Sequence, residues 1–549
     1  MRHGYFSEID GGSPQQSPAS AAGAAAAGVC PFGNYGSLFA SNAPSPGGAT
    51  AAVKDLVGRI ADARASGVDD PPDDEYGDVP AGYTYFGQLV VHDLTHSIAA
   101  AGRGRALPAL KNLSTPSLDL DTIYGGGPVL CPHLYQPPYI NPQPGSDDDG
   151  QYLFHLGRTA KAAFPQNWHL GHGLPFDLPR VDSGSHGIMY GRGQPAVTPL
   201  VNDERNDDNL ILAQLTAQFL LAHNAVASYL RRNGDPSHGH RGLDSRGSFE
   251  LARHVLLKAY RQIVVHDHLP RLLLPDVYAD LVGGRIQPQD RLPVEFVFGA
   301  ARTGHAMVRN SYTVNAHIDL ESSRLGRLMA LSSGSPNPSL PLPADWVADW
   351  SGLVEMPSNG RRPASRPQSA RRVSPFLAPT FVYGQLKGRR TGIDGSLSFH
   401  DLWRCYQLGL PTGQECARRA FPKSPQRILQ GAEMLPTPTF EKLHPAGKLI
   451  DALNANRRFL SETPLSYYLV QEAAVLGGNG RFLGPLGSHI FATAILHALQ
   501  VHPQPPQGQR ALTLRAIIAG KGVKTLPELL GIAGQSDVEL AETIAVALQ

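Results

Sequence analysis

The sequence predicts a mainly α-helical, single-domain protein with few short strands and long loops. Three observations carry that expectation. Apolar residues recur at three-to-four spacing over several segments, alternating strand patterns are scarce, and 58 glycines and 47 prolines among 549 residues leave much of the chain for loops. The strongest helical segment is 207–232, DDNLILAQLTAQFLLAHNAVASYLRR. Leu212, Leu215, Phe219, Leu220 and His223 fall at helical spacing there, and Asp207 and Asp208 sit at the end where a helix dipole favours acids. Segments 249–265, 294–309, 398–408, 464–476 and 487–499 have similar periodicity. Pro/Gly-rich stretches at 134–150, 334–343, 357–370 and 502–508 read as surface loops. No internal repeat divides the chain. The expected organisation is a flexible, Ala/Gly-rich segment over 1–29 and one folded domain over 30–549.

Charge and cysteine content narrow the function classes. Lys+Arg 48 balance Asp+Glu 47, which argues against a bulk nucleic-acid binder and a polybasic membrane-surface protein. An apolar content of 42% is too high for a disordered chain. Cys30, Cys131, Cys405 and Cys416 are scattered, with no CxxC pair, so neither a disulfide scaffold nor a structural zinc site is expected. No run of eighteen apolar residues predicts a transmembrane helix. Glu8 and Asp10 precede the weakly hydrophobic N-terminal patch, so no export signal is read there. The default expectation is the cytoplasm, with secretion by a signal-less route left open.

Five segments hold residues suited to chemistry. In FGQLVVHDLTHS (86–97), Gln88 and His92 are four apart and share a helix face, while Asp93 lies off it. A His beside a Gln can shuttle a proton over a cofactor; among 21 histidines, a satisfied core side chain is the plainer reading. In TPSLDLDTIYGGGP (115–128), Thr115, Ser117, Asp119 and Asp121 place oxygen at every second position, which suits a hard cation or a plain acidic turn. In NDERNDDNLILAQL (202–215), Arg205 stands at a helix start as an electrostatic catalyst or a member of a surface ion-pair cluster. In FVFGAARTGHAMVRN (296–310), His305 is expected inside an apolar helix beside Gly304, where a flat bulky group can approach the backbone. A neutral imidazole is a standard haem ligand, and Arg302 suits a propionate carboxylate; a buried metal-free histidine is the alternative. In SFHDLWRCYQLGLPTGQ (398–414), Asp401 and Arg404 share a helix face. Asp401 suits the ring N–H of a metal-bound histidine and Arg404 a second propionate; an ion pair between them is the alternative.

The order of these segments carries more than any one of them. FGQLVVHDLT, LDLDTIYGGGP, RNDDNLILAQL, RTGH, LGLPTGQ and TPLSYYLVQEAAVLGGNGRFLGPLGSHI run in sequence over almost the whole chain. In this it resembles the animal-type haem peroxidase superfamily, the peroxidase–cyclooxygenase group, and most of all its bacterial branch. The resemblance implies a haem peroxidase-like helical fold, haem b and a calcium ion. It implies His92 as the distal histidine, Gln88 as the distal glutamine and Arg205 as the distal arginine. It implies His305 as the proximal iron ligand, Arg302 and Arg404 on the propionate side, and Asp93, Thr115, Ser117, Asp119 and Asp121 as the calcium loop. Asp401 stands where the family usually has an asparagine.

The implied reaction is a ferric haem cycle. Neutral His92 moves a proton of hydrogen peroxide, Arg205 stabilises developing charge, and the oxidised haem takes electrons singly from a small reducing donor, with bromide, iodide or thiocyanate as candidates. Of two carboxylates that esterify haem in many members, one position is Val91 and the other Asp208, with Asn209 next to it. At most one ester is therefore expected, and strong chloride oxidation is not. A haem-dependent fatty-acid dioxygenase is the runner-up, although no tyrosine lies among Phe298, Gly299, Ala300, Ala301 and Arg302, and Tyr312 lies beyond His305. A non-catalytic haem-binding relative is the third reading.

Overall fold

The computed structural model describes residues 35–39, 50–66, 76–99, 110–136, 152–171, 173–182, 197–237, 242–333, 339–356, 366–382, 396–501 and 513–548. The expected N-terminal segment 1–29 lies outside these residues, as do Cys30 and most of the four Pro/Gly-rich stretches.

Helices dominate. The main ones are α1 (Ala51–Ala63), α2 (Gly82–Leu94), α3 (Leu210–Asn233), α4 (Ser245–Ile263), α5 (Leu397–Gln407), α6 (Leu465–Leu476) and α7 (Pro485–Gln500). Among the described residues the strands are short and form two-stranded antiparallel pairs. β1 (Tyr76–Pro80) joins the distant β6 (Ser369–Arg371), β2 (Ser97–Ala99) joins β3 (Leu110–Asn112), and β4 (Arg180–Asp182) joins β5 (Val197–Pro199).

Side-chain caps open several of the helices. Asn209 accepts from Leu212 N at 3.0 Å and opens α3, which stops where Gly234 takes φ 79°. Asp244 accepts from Gly247 N at 2.6 Å and opens α4; Ser396 accepts from Phe399 N at 3.1 Å and opens α5. α2 ends where Thr95 turns extended and its hydroxyl donates to the Val91 carbonyl at 2.8 Å. α4 runs on as a π turn over Val264–His268. Pro270, with no N–H to donate, follows directly, and the hydrogen-bond ladder widens ahead of it.

One continuous apolar cluster reaches from Tyr35 to Ala547 and draws on every main helix. α3 is the one described helix long and apolar enough to cross a membrane, and 78% of its apolar window is buried inside the fold, so it is the core helix. His223 of that helix is a core histidine. Its Nδ1 meets Tyr124 Oη at 3.1 Å and its Nε2 meets the Tyr152 carbonyl at 3.3 Å.

The 294–309 segment departs from expectation. It is a short α-helix, Val294–Phe298, then a 3-10 stretch, Ala300–Met307, broken at Gly299 (φ −121°, ψ −87°). His305 stands on the 3-10 stretch rather than within a continuous apolar helix. Apolar periodicity placed the segment in the core and could not see the break.

Candidate active site

A cavity partly open to solvent lies between α2 and the Ala300–Met307 stretch. Gln88, Val91 and His92 line it from α2, and Arg302, Gly304 and His305 from the 3-10 stretch. Much of the remaining wall is apolar or aromatic and includes Leu272, Met307, Leu325, Phe381 and Phe491.

His92 is 1% exposed, and its tautomer follows from its neighbours. Asn206 donates through Nδ2 to the Thr122 carbonyl at 3.2 Å and to Thr122 Oγ1 at 3.0 Å. A carbonyl only accepts, so this bond fixes which way the amide faces. Asn206 Oδ1 therefore faces His92 Nδ1 at 3.1 Å, and Nδ1 carries the proton. Nε2 is left with the lone pair. Burial, and then the nearby Arg205 charge, pull the His92 pKa down to about 4, so the ring is neutral at pH 7. Asn206 carries this arrangement and the sequence reading missed it. Its only signal was its place beside Arg205, in a run of polar residues that reads as a solvated turn.

His305 is held from behind. Its Nδ1 lies 2.7 Å from Asp401 Oδ2, so Nδ1–H donates to the carboxylate and Nε2 keeps its lone pair. This is the partnership expected of Asp401. A Cβ at Gly304 would meet nothing within 4 Å, so the space beside the imidazole is open.

The arginines divide. Arg302 lines the cavity and donates through Nε to the Val297 carbonyl at 2.9 Å. Burial, opposed by Asp401 and aided by Arg205, lowers its pKa, so an anion in the cavity would stabilise its charge. Arg205 is 4% exposed but is not on the cavity wall. Its Nη2 donates to the His92 carbonyl at 3.0 Å and to Asp203 Oδ2 at 2.5 Å. Burial works to raise Asp203, yet the Arg205 charge and hydrogen bonds hold its carboxyl well below the usual range. Arg205 thus grips the backbone of His92. Arg404 is half-buried on α5, 3.4 Å from Gln407 Oε1, and is not on the cavity wall. It sits three residues beyond Asp401 on the same helix.

On the distal side, Gln88 Oε1 accepts from Asn209 Nδ2 at 3.3 Å, and both residues line the cavity. Asp208, the one expected ester position, is buried but is not on the wall; Val91 and Asn209 are.

A second cluster adjoins the first. Carboxylate oxygens of Asp93, Asp119 and Asp121 lie within 4.8 Å of one another. Burial, and then the two neighbouring acids, push Asp93 well above the ordinary aspartate range, and burial and Asp119 do the same to Asp121. Thr115 Oγ1 joins them, 2.9 Å from Asp119 Oδ1 and 3.0 Å from Asp121 Oδ2. Ser117 does not: its hydroxyl donates to the Val501 carbonyl at 2.5 Å, drawn away by the start of the next loop. The donor set, buried carboxylates and a hydroxyl, is that of a hard-cation site.

Residues 174–338 match the family described as animal haem peroxidase, a span that includes Arg205, Asp208, Arg302 and His305. That match covers less than a third of the chain. Among solved structures of similar fold is peroxidase A of Dictyostelium discoideum, 14% identical, TM-score 0.52, covering 92% of this chain and 93% of that one. The fatty acid α-dioxygenase of Oryza sativa is 12% identical, TM-score 0.50, covering 91% and 82%. No curated protein sequence matches the chain. The mainly α fold is shared with these structures.

Proposed function

We propose that this protein is a member of the peroxidase–cyclooxygenase superfamily and a haem peroxidase, which reduces hydrogen peroxide and oxidises small donors by one-electron steps. One observation carries the reading: His92 presents a lone pair on Nε2 to the cavity wall while Asn206 holds its other nitrogen protonated. A neutral histidine so fixed is a general base for a proton of peroxide and then a general acid for the departing oxygen. The residues present fit haem. His305 Nε2 would be the iron ligand, Asp401 would strengthen it as a donor, Arg302 would meet a propionate, and the apolar wall would cover the macrocycle. Bound there, haem supplies the iron that accepts oxidising equivalents from peroxide. Arg205 acts as a positioning residue, holding the His92 carbonyl and adding positive potential that keeps the ring neutral. Asp208 being off the wall, haem is held without an ester, and acid–organic extraction releases all of it. Asp93, Asp119, Asp121 and Thr115 hold Ca²⁺.

The test is a haem absorption spectrum followed by rapid mixing with hydrogen peroxide. The expected result is a Soret band that shifts on mixing, and a rate about 10² lower in His92→Ala with haem retained. Absence of bound haem, or a variant reacting at the parental rate, refutes the proposal.

One observation favours a dioxygenase instead: Tyr83 and Tyr85 line the cavity, two oxidisable phenols that the sequence reading did not weigh. Against it, no tyrosine lies among Phe298, Gly299, Ala300, Ala301 and Arg302, just before His305. Oxygen uptake with a long-chain fatty acid, in the absence of added peroxide, would decide for that reading.

A further inference from the structure

Arg64 has no part in the arrangement described so far. It follows α1 directly and is 2% exposed, yet its side-chain partners are neutral. Nε donates to the Pro375 carbonyl at 2.7 Å, Nη1 donates to Ser398 Oγ at 3.4 Å, and the guanidinium lies 5.8 Å from the centre of the Tyr467 ring. No carboxylate makes an ion pair with it among the described residues. A guanidinium keeps its proton inside a protein, and a buried charge is costly unless another charge compensates it.

The side chain has no easy way back to water. Its backbone is pinned on both sides, since Arg64 N donates to the Ala61 carbonyl at 3.2 Å and its own carbonyl accepts from Leu377 N at 2.9 Å. Ser398 spends its hydroxyl proton on the Ala61 carbonyl at 3.1 Å, which leaves its oxygen to accept from Arg64.

These contacts place Arg64 beside Asp401. Ser398 and Asp401 are three apart on α5 and share a helix face. Tyr467 follows Ser466 on α6, whose hydroxyl donates to the main-chain carbonyl of Asp401 at 2.9 Å. Burial pulls the Arg64 pKa down, and the Asp401 charge is the first to oppose it. Arg302 draws on the same carboxylate, but it faces the cavity, where an anion can pair it. Arg64 is not on that wall. Asp401 therefore serves two groups: Oδ2 takes the His305 Nδ1–H at 2.7 Å, and its charge offsets Arg64. The two duties pull against each other. A carboxylate draws on the Nδ1 proton and makes the imidazole electron-rich, while a cation beside it stabilises the anion and weakens that draw.

We propose that Arg64 is a positioning residue for the proximal centre: as the counter-charge of Asp401 it keeps the Nδ1 proton on His305 and limits how strong an iron ligand His305 becomes. This rests on the haem peroxidase reading and names a residue that tunes it.

The test uses the haem-loaded full chain without peroxide. Spectroelectrochemistry compares the ferric–ferrous potential of the parent, Arg64→Gln and Arg64→Lys. Arg64→Gln keeps a donor for the Pro375 carbonyl and removes the charge, so the potential falls. Arg64→Lys keeps the charge and restores most of it, which lost packing would not do. In an Asp401→Asn background the fall on Arg64→Gln is smaller, because the route through the carboxylate is gone. A parental potential in Arg64→Gln, or an equal fall in both backgrounds, overturns the proposal. A second measurement needs no Arg64 variant. Asp401→Asn keeps an acceptor for His305 and takes away the counter-charge, so its urea midpoint drops below the parent's; an unchanged or higher midpoint overturns the pairing. Haem that reacts with peroxide while the potential ignores Arg64 leaves the peroxidase reading standing and ends this role alone. Bound haem inert to peroxide, with the potential shifts as expected, overturns the peroxidase reading alone. A chain that binds no haem overturns both.

Discussion

At the scale of single residues, two second partners set the chemistry of two histidines. Asn206 holds His92 through Nδ1 and Asp401 holds His305 through Nδ1, each leaving Nε2 with its lone pair. Asn206→Leu removes the acceptor that fixes the tautomer. Its peroxide reaction should slow about tenfold or more with the haem spectrum unchanged, as stopped-flow absorbance will show. A parental rate would mean that Asn206 does not orient the base. Asp401→Asn keeps an acceptor but removes the charge. Haem should stay bound and its reduction potential should rise, because a less electron-rich imidazole stabilises ferric iron less. Spectroelectrochemistry of parent and variant checks the sign.

At the scale of elements, packing explains residues whose chemistry is silent. A Cβ at Gly413 would fall 2.0 Å from Tyr468 Cγ, so the LGLPTGQ glycine lets the helix Gly413–Ala420 seat on α6. The cation cluster ties elements together in the same way, since Asp93 belongs to α2, Asp119 to the loop that follows β3 and Asp121 to the short helix Asp121–Tyr124. Three buried carboxylates repel one another until a cation joins them. Calcium at about a hundred times its Kd should add about 2.7 kcal/mol of stability. Thermal unfolding with and without chelator measures this, and Asp121→Ala should abolish the difference. Chelation should also perturb the Soret band, because Asp93 directly follows His92 on α2. An unfolding temperature indifferent to chelator and calcium would remove the cation from the structure.

At the scale of the whole molecule, buried histidines govern acid stability. Burial lowers the pKa of His223 to about 3, His254 to about 4 and His444 to about 3, and all three lie away from the cavity wall. Unfolding returns each to about 6.5. Between pH 6.5 and about 4 these three rings bind more protons in the unfolded chain, so their contribution to stability falls as pH falls. His444→Gln should therefore lose less stability than the parent over that window, since one titrating ring is gone. Denaturant midpoints of parent and variant that change in parallel from pH 6.5 to 4 would contradict the His444 shift.

The sequence by itself determined the helical class, the places of most helices and His92 and His305 as candidate centres. Helical periodicity, capping residues and motif order are local properties, and local properties are written in consecutive residues. It also determined the Asp401 partnership, through the resemblance its motifs carry. Only the tertiary structure decided which side chains face the cavity. Arg205, Arg404 and Ser117 turned to Asp203, Gln407 and the Val501 carbonyl, while Asn206 came to His92 unannounced. The Gly299 break and the π turn before Pro270 re-aim the residues that follow, and neither is visible in apolar spacing. The reason is physical. A side chain's direction depends on partners distant in sequence, 114 residues apart for His92 and Asn206 and 96 for His305 and Asp401, and those partners meet only when the core has closed.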